Sequence, residues 1–256
     1  MQGFLLNSIY GFGVPAAGQL QWLLFAKNAK GPAWMETVLP NVYAHWDDFL
    51  KAICDTLVME LWAGGVSFVL GLFLGIVLTV ARPGGILENR PLYQVLDKIV
   101  NLFRSIPFII LLTALMPLSR LIMGTAIYVR GAIVPLVFGC TPFFTRQVEA
   151  ALAQTDYGLI EAALSMGSSP LDVIFRVYLK ESIGPIARAT TITAISLLGL
   201  TAMAGAVGAG GLGDFAIRYG HDRNMTDITW TTVFVLVIAV SIVQTFGGWV
   251  AKKNTH

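Results

Sequence analysis

Charge is scarce in this sequence. Only 12% of its 256 residues are Asp, Glu, Lys or Arg, against about 25% in an ordinary soluble domain. That is too few to clothe a water-facing surface. An excess of one sign is missing too. A net charge of +2 lacks the basic footprint that nucleic-acid binding draws on. Cysteine is nearly absent. Cys54 and Cys140 show neither CxxC nor zinc-ligand spacing, and they read as two unpaired thiols. His45, His221 and His256 have no metal-ligand spacing. No Ser/His/Asp set or carboxylate pair suggests catalysis. No GxxxxGK[ST] occurs, so any ATP chemistry belongs to another chain.

What the chain does have is oil. It is 55% apolar, and a bilayer core asks for ~20 apolar residues per helix. Five stretches meet this: 62–80, 103–116 (its helix extending back through 92–102), 131–144 (reaching to Leu152), 186–207 and 229–250. Pro107, Pro117, Pro135 and Pro142 interrupt them, which neighbouring helices can accommodate. Loop charges give the orientation. One side carries Arg82, Arg90, Lys98, Arg146, Arg176, Lys180, Arg188, Lys252 and Lys253; the other carries Lys51, Arg120, Arg130, Arg218 and Arg223. The richer side is cytoplasmic by the positive-inside rule. This predicts an all-α transmembrane fold of five helices, with the N-terminus outside and the C-terminus cytoplasmic.

The first forty residues fit less well. The segment 4–25 is apolar on average but carries Asn7, Pro15, Gln19 and Gln21, and it lacks the basic start of a signal peptide. A sixth span there would put Lys27 and Lys30 outside. Residues 1–50 are therefore read as an N-terminal extension, with Met35 a possible natural start, and 51–256 as the transmembrane domain.

Between the third and fourth spans lies a polar stretch with no reason to exist for spanning alone. Residues 157–166 read as a short helix that Gly167 ends in a left-handed conformation. Ser169 and Pro170 supply an N-cap and a proline at N1, and Asp172 adds negative charge to the first turn. A second helix places Leu171, Ile174, Phe175 and Tyr178 on one apolar stripe. Gly184-Pro185 is expected to end it. Ala162 and Ala163 leave a shallow face that another protein can approach, and Glu161 and Arg176 are polar handles for docking. The residues Glu161-Ala162-Ala163, Gly167, Val177 and Leu179 resemble the "EAA" loop of ATP-binding-cassette importer permeases. Lys180 stands where that motif has proline, so the second helix is expected to run on for a turn.

Further segments narrow the resemblance. Residues 101–112 (NLFRSIPFIILL) and 205–213 (GAVGAGGLG) look like parts of the methionine importer permease family, and matching stretches extend with gaps from about Thr56 to Val250. The resemblance implies a homodimer, a pair of ATPase subunits that carry ATP and Mg, and a substrate-binding protein outside. It also implies a coupling helix in the Glu161 loop and a bacterial inner-membrane location. An importer for another amino acid or small solute remains the alternative. A stand-alone channel or secondary transporter is disfavoured, because neither mid-membrane ionisable residues nor internal repeats stand out.

The remaining motifs have two readings each. Gly208–Gly213 is a literal GxGxxG, but a membrane helix precedes it where a dinucleotide site needs a strand; close packing or an outer-end turn suits it better. Gly71 and Gly75 form a GxxxG for helix contact. Arg104 either pairs with Asp97 or Glu149 or serves the path. Thr190, Thr191, Thr193, Ser196, Thr201 and Met203 serve either tight packing or a lined passage. In the related permeases that span follows the central path, which makes Ser196, Thr201 and Met203 path candidates and Met203, an unbranched thioether, a gate.

Overall fold

The computed structural model of the chain describes residues 31–253, so segment 4–25, Lys27 and Lys30 lie outside the described residues. Every regular element among those described is helical. Two short helices, α1 (Ala33–Val38) and α2 (Pro40–Ala44), lead into α3 (Trp46–Ala81). The helices α4 (Arg90–Ser105), α5 (Phe108–Ala114) and α6 (Met116–Met123) precede α7 (Tyr128–Leu152). A hairpin follows, made of α8 (Tyr157–Ser165), α9 (Pro170–Val173), a π-helical turn (Ile174–Tyr178) and α10 (Leu179–Glu181). The chain ends with α11 (Ile183–Ala204), a turn (Gly205–Ala209), α12 (Gly211–Phe215) and α13 (Thr226–Lys253).

Among the described residues four helices are long and apolar enough to cross a membrane: Trp46–Ala81, Tyr128–Leu152, Ile183–Ala209 and Thr226–Lys253. The stretch expected as the second of five spans is not one helix. It breaks at Ile106-Pro107, where Ile106 is extended (φ −84°, ψ 123°) and Pro107 becomes the N-cap of α5 (φ −55°, ψ 133°). Proline disfavours the helical region for its predecessor, and at Ile106 the helix ends. Pro135 and Pro142, by contrast, stay inside an unbroken α7.

The framework is α3 against α7. A Cβ on Gly71 would lie 2.7 Å from Phe144 Cδ1, and one on Gly75 would lie 2.6 Å from Val148 Cγ1. Their GxxxG is thus a true close contact, which only missing side chains permit. Three buried clusters stack along this axis. Val42, Phe49, Leu212, Phe215 and Ile228 close one end. Met59, Leu112, Leu136, Cys140 and Leu197 fill the middle. Phe144, Val148, Ile160, Val173 and Tyr178 close the other end, beneath the hairpin. Ile228 near the start of α13 sits in the first cluster. Near its end, Gly247 abuts Thr191 of α11. The end of α13 at Lys253 therefore lies at the hairpin end.

The boundary expected between residues 50 and 51 falls inside α3. Val42 is fully buried, and Asn41 donates from its backbone and side-chain nitrogens to the two oxygens of Asp227 (3.0 and 2.9 Å). Residues 39–50 are packed into the fold.

Candidate coupling hairpin and membrane cavity

The hairpin is built by its caps. The Asp156 carboxylate accepts from Gly158 N–H (2.8 Å) to open α8. At the other end Gly167 takes φ +82°. Its N–H donates to Leu164 O and that of Ser168 donates to Ala163 O (3.0 and 3.1 Å), the paired bonds of a Schellman ending. The Ser169 hydroxyl accepts from Asp172 N–H (3.2 Å) and donates to the Asp172 carboxylate (2.6 Å). Arg176 lies 3.4 Å from the same carboxylate. The Ser169 hydrogen bond first, and then the Arg176 charge, hold Asp172 below the usual carboxylate range.

Of the residues expected on the docking face, Glu161, Ala162, Gly167, Ser169 and Arg176 are exposed. Ala163 is not: it packs inward with Ile160 against the third cluster. The expected stripe of the second helix also divides. Ile174 and Tyr178 are buried, whereas Leu171 and Phe175 are 63% and 65% exposed. The inner positions are taken by Val173, Ile174 and Tyr178, because the π turn shifts the helical phase within this short segment. Leu171 and Phe175, expected on the same stripe as Ile174 and Tyr178, instead join Met166 in an exposed apolar outer rim. The competing i, i+4 pairs Leu171–Phe175 and Val173–Val177 were the available signal. The helix does run past Lys180, but it breaks at Ser182 (φ −94°, ψ 8°), before Gly184. The Ser182 and Thr155 hydroxyls lie 3.1 Å apart, pinning that break to the end of α7.

Arg104 does not pair with Asp97 or Glu149. Arg146 takes both: its guanidinium donates to Glu149 (2.6 Å), to Asn101 (3.0 Å) and to Asp97. Asp97 meets Arg146 of α7, and Arg104, two turns and ~10 Å further along α4, lies level with Gly139, Cys140 and Phe143 instead. Arg146 is the residue that sequence reasoning missed. Its acidic neighbour Glu149 at i+3 was the visible cue.

Arg104 instead lines a cavity of about 280 Å³. Phe103, Phe108, Gly139, Phe143 and Ser196 contribute to its walls. Gly139 is what lets α5 in: a Cβ there would lie 3.0 Å from Phe108 Cδ2. Thr201 is absent from this lining. It is buried, and its hydroxyl donates to Leu198 O (2.8 Å). Thr190, Thr191 and Thr193 likewise bond back to their own helix. Tight packing accounts for the buried Thr193 and Thr201 and for Thr191, which abuts Gly247, while Thr190 is half-buried. Met203 stays outside the cavity lining, 42% exposed, on the face of α11 that carries Ile192, Ser196 and Gly199. The Gly-rich run is a turn and a packing seam. Gly208, Gly210 and Gly211 have positive φ, a Cβ on Gly213 would meet Ala202 O at 2.2 Å, and Leu212 N–H donates to Thr56 (2.8 Å).

Comparison with known proteins decides the family. The model of the binding-protein-dependent transport system inner membrane component matches residues 67–253. The chain belongs to this family of permeases. Among curated relatives, the permease is 43% identical over 221 residues to the probable D-methionine transport system permease protein MetI of Vibrio cholerae, covering 84% of this chain and 98% of that one. It is 46% identical over 156 residues to the D-methionine transport system permease protein MetI of Salmonella typhimurium, covering 61% and 72%. Among solved structures, the permease superposes on the inward-facing MetNI methionine ABC transporter with a TM-score of 0.79 at 43% identity, covering 81% of this chain and 96% of that one. A crystal structure of an amino acid ABC transporter, at 16% identity and a TM-score of 0.69, shares the fold.

Proposed function

We propose that this permease is the membrane-spanning subunit of an ATP-driven methionine importer in a bacterial inner membrane. One observation carries the reading: 43% identity spread over 98% of a relative curated as a probable D-methionine permease. Two copies pair across a central path and rest on a dimer of ATPase subunits, which bind ATP and Mg. A substrate-binding protein delivers the amino acid from outside. The C-terminus and the hairpin face the cytoplasm, and α4–α6 make the broken second crossing.

The hairpin is the coupling element. Its outer rim of Met166, Leu171 and Phe175 supplies apolar contact, and Glu161 and Arg176 supply register. Closure of the ATPase dimer moves the hairpin, and the cluster beneath it passes the motion to α7 and α11. The ATPase drives alternating access because it binds the two permease states unequally. The α11 face bearing Ser196 and Met203 lines the path, with Met203 as its deformable gate.

The test is reconstitution with the cognate ATPase and binding protein in liposomes. ATP-dependent uptake of radiolabelled L- and D-methionine, competed by neither leucine nor arginine, is the expected result. Uptake of some other solute in its place would overturn the substrate assignment.

A further inference from the structure

The cavity at the helix break is lined by one cation, the Ser196 hydroxyl and otherwise mostly apolar side chains, and its parts are unusual together. Among the described residues Arg104, itself exposed, makes no hydrogen bond or ion pair; the two carboxylates expected to pair with it, Asp97 and Glu149, are held by Arg146. A guanidinium within a membrane protein normally faces protein, water or a ligand, and its planar fork matches a carboxylate with two hydrogen bonds. The break supplies the opposite charge preference. Phe103 O would ordinarily accept from the N–H of residue 107, but that residue is proline and has none. A carbonyl without its donor at a helix C-terminus favours a cationic or N–H-bearing group. Phe103, Phe108 and Phe143 surround the remaining volume, and aromatic rings make favourable contacts with a polarisable thioether. About 280 Å³ lies just under the ~300 Å³ lower bound of small-molecule sites, room for one amino acid.

We propose that this cavity is a binding site for a zwitterionic α-amino acid with an unbranched apolar side chain. Arg104 takes the carboxylate, the Phe103 carbonyl takes the ammonium, and the phenylalanines take the side chain. The inference rests on the methionine reading above and deepens it: substrate pauses within each permease subunit on a site made by the proline break.

The test uses the reconstituted complex of permease and ATPase with a diazirine analogue of methionine as photoprobe, mapped by peptide mass spectrometry. Label is expected in segments 103–111 and 139–143. L-Methionine should compete at least ten-fold better than 3-(methylthio)propylamine, which lacks the carboxylate. Arg104→Gln should bring the two competitors level, while Arg104→Lys should preserve part of the difference. The wild-type comparison of competitors holds even if a variant fails to insert. Label elsewhere, or equal competition in the wild type, overturns the site. ATP-driven methionine uptake in the same vesicles, supplied with the cognate substrate-binding protein, separates the two claims. Uptake without cavity label sinks the site alone, and methionine-protected cavity label without uptake sinks the importer reading alone.

Discussion

Single atoms decide how closely these helices approach. Gly75 and Gly65 lie ten residues apart on α3, in opposite situations. A Cβ on Gly75 would stand 2.6 Å from Val148 Cγ1 and 3.0 Å from Thr145 O, while one on Gly65 would meet nothing within 4 Å. Gly75→Ala must therefore push α3 off α7, at a cost of about 1–3 kcal/mol for overpacking. Gly65→Ala gains up to ~1 kcal/mol of helix propensity with no clash. Melting of the purified permease in detergent should move down for the first variant and not down for the second. Equal shifts would refute the contact. Arg146 is the polar counterpart. Its side chain and that of Glu149 are 19% and 18% exposed, so Arg146→Gln leaves two carboxylates facing each other without a cation. Breaking a buried pair by removing one partner costs about 3 kcal/mol, and these groups, being part-exposed, should lose somewhat less. Adding Asp97→Asn and Glu149→Gln should recover part of the loss in the same melting assay.

At the scale of elements the hairpin is a capped unit whose outer rim waits for a partner. Gly167→Pro removes the N–H that reaches Leu164 and demands φ near −65° where the backbone has +82°, which proline cannot adopt. Transport should be lost while the permease still inserts, and co-purification with the ATPase should fall at least ten-fold. Unchanged co-purification would remove the hairpin from the coupling role. The Asp172 cap has a pH sign. Its carboxyl lies below its ordinary range when folded, so its contribution is present above the unfolded value of about 3.9 and lost as pH falls through the lowered one. ATPase co-purification should thus be flat in this group across neutral pH. The caps were legible in the sequence because Ser169, Pro170 and Gly167 act on their own backbone. The helix phase was not: a π turn occupies 174–178, and Leu171 and Phe175 face outward while Val173, Ile174 and Tyr178 are buried. The proline break was misread for a similar reason. The residues of 103–116 are apolar whether or not the helix continues, and composition does not report whether a neighbour will satisfy the freed carbonyl.

For the whole molecule, sidedness follows from which end each loop occupies. The charge asymmetry in the sequence pointed to the same grouping that the stacked clusters make: Arg82, Arg146, Arg176, Lys252 and Lys253 belong to the hairpin end, with Ile86, Val148 and Tyr178 packed there. The turn 124–127 belongs to the opposite end, where the Gly131 backbone presses on Ala126 and Val129 packs near Gly210. The broken stretch 90–123 makes this arrangement non-trivial, since the four long helices alone would return both ends of the described chain to one side. Three short helices must therefore carry the chain across once more between Arg90 and Met123, α4 bringing its Asp97 end to Arg146 and α6 leaving at Gly124. In a Cys54→Ser background, where the other native thiol, Cys140, is buried, Ser168→Cys should react with a membrane-impermeant maleimide only from the cytoplasmic face of spheroplast-derived inverted vesicles. Thr125→Cys should react only in intact spheroplasts. Labelling of both positions from the same face would mean that α4–α6 fold back without crossing, and would leave the permease with four crossings and both ends of the described chain on one side.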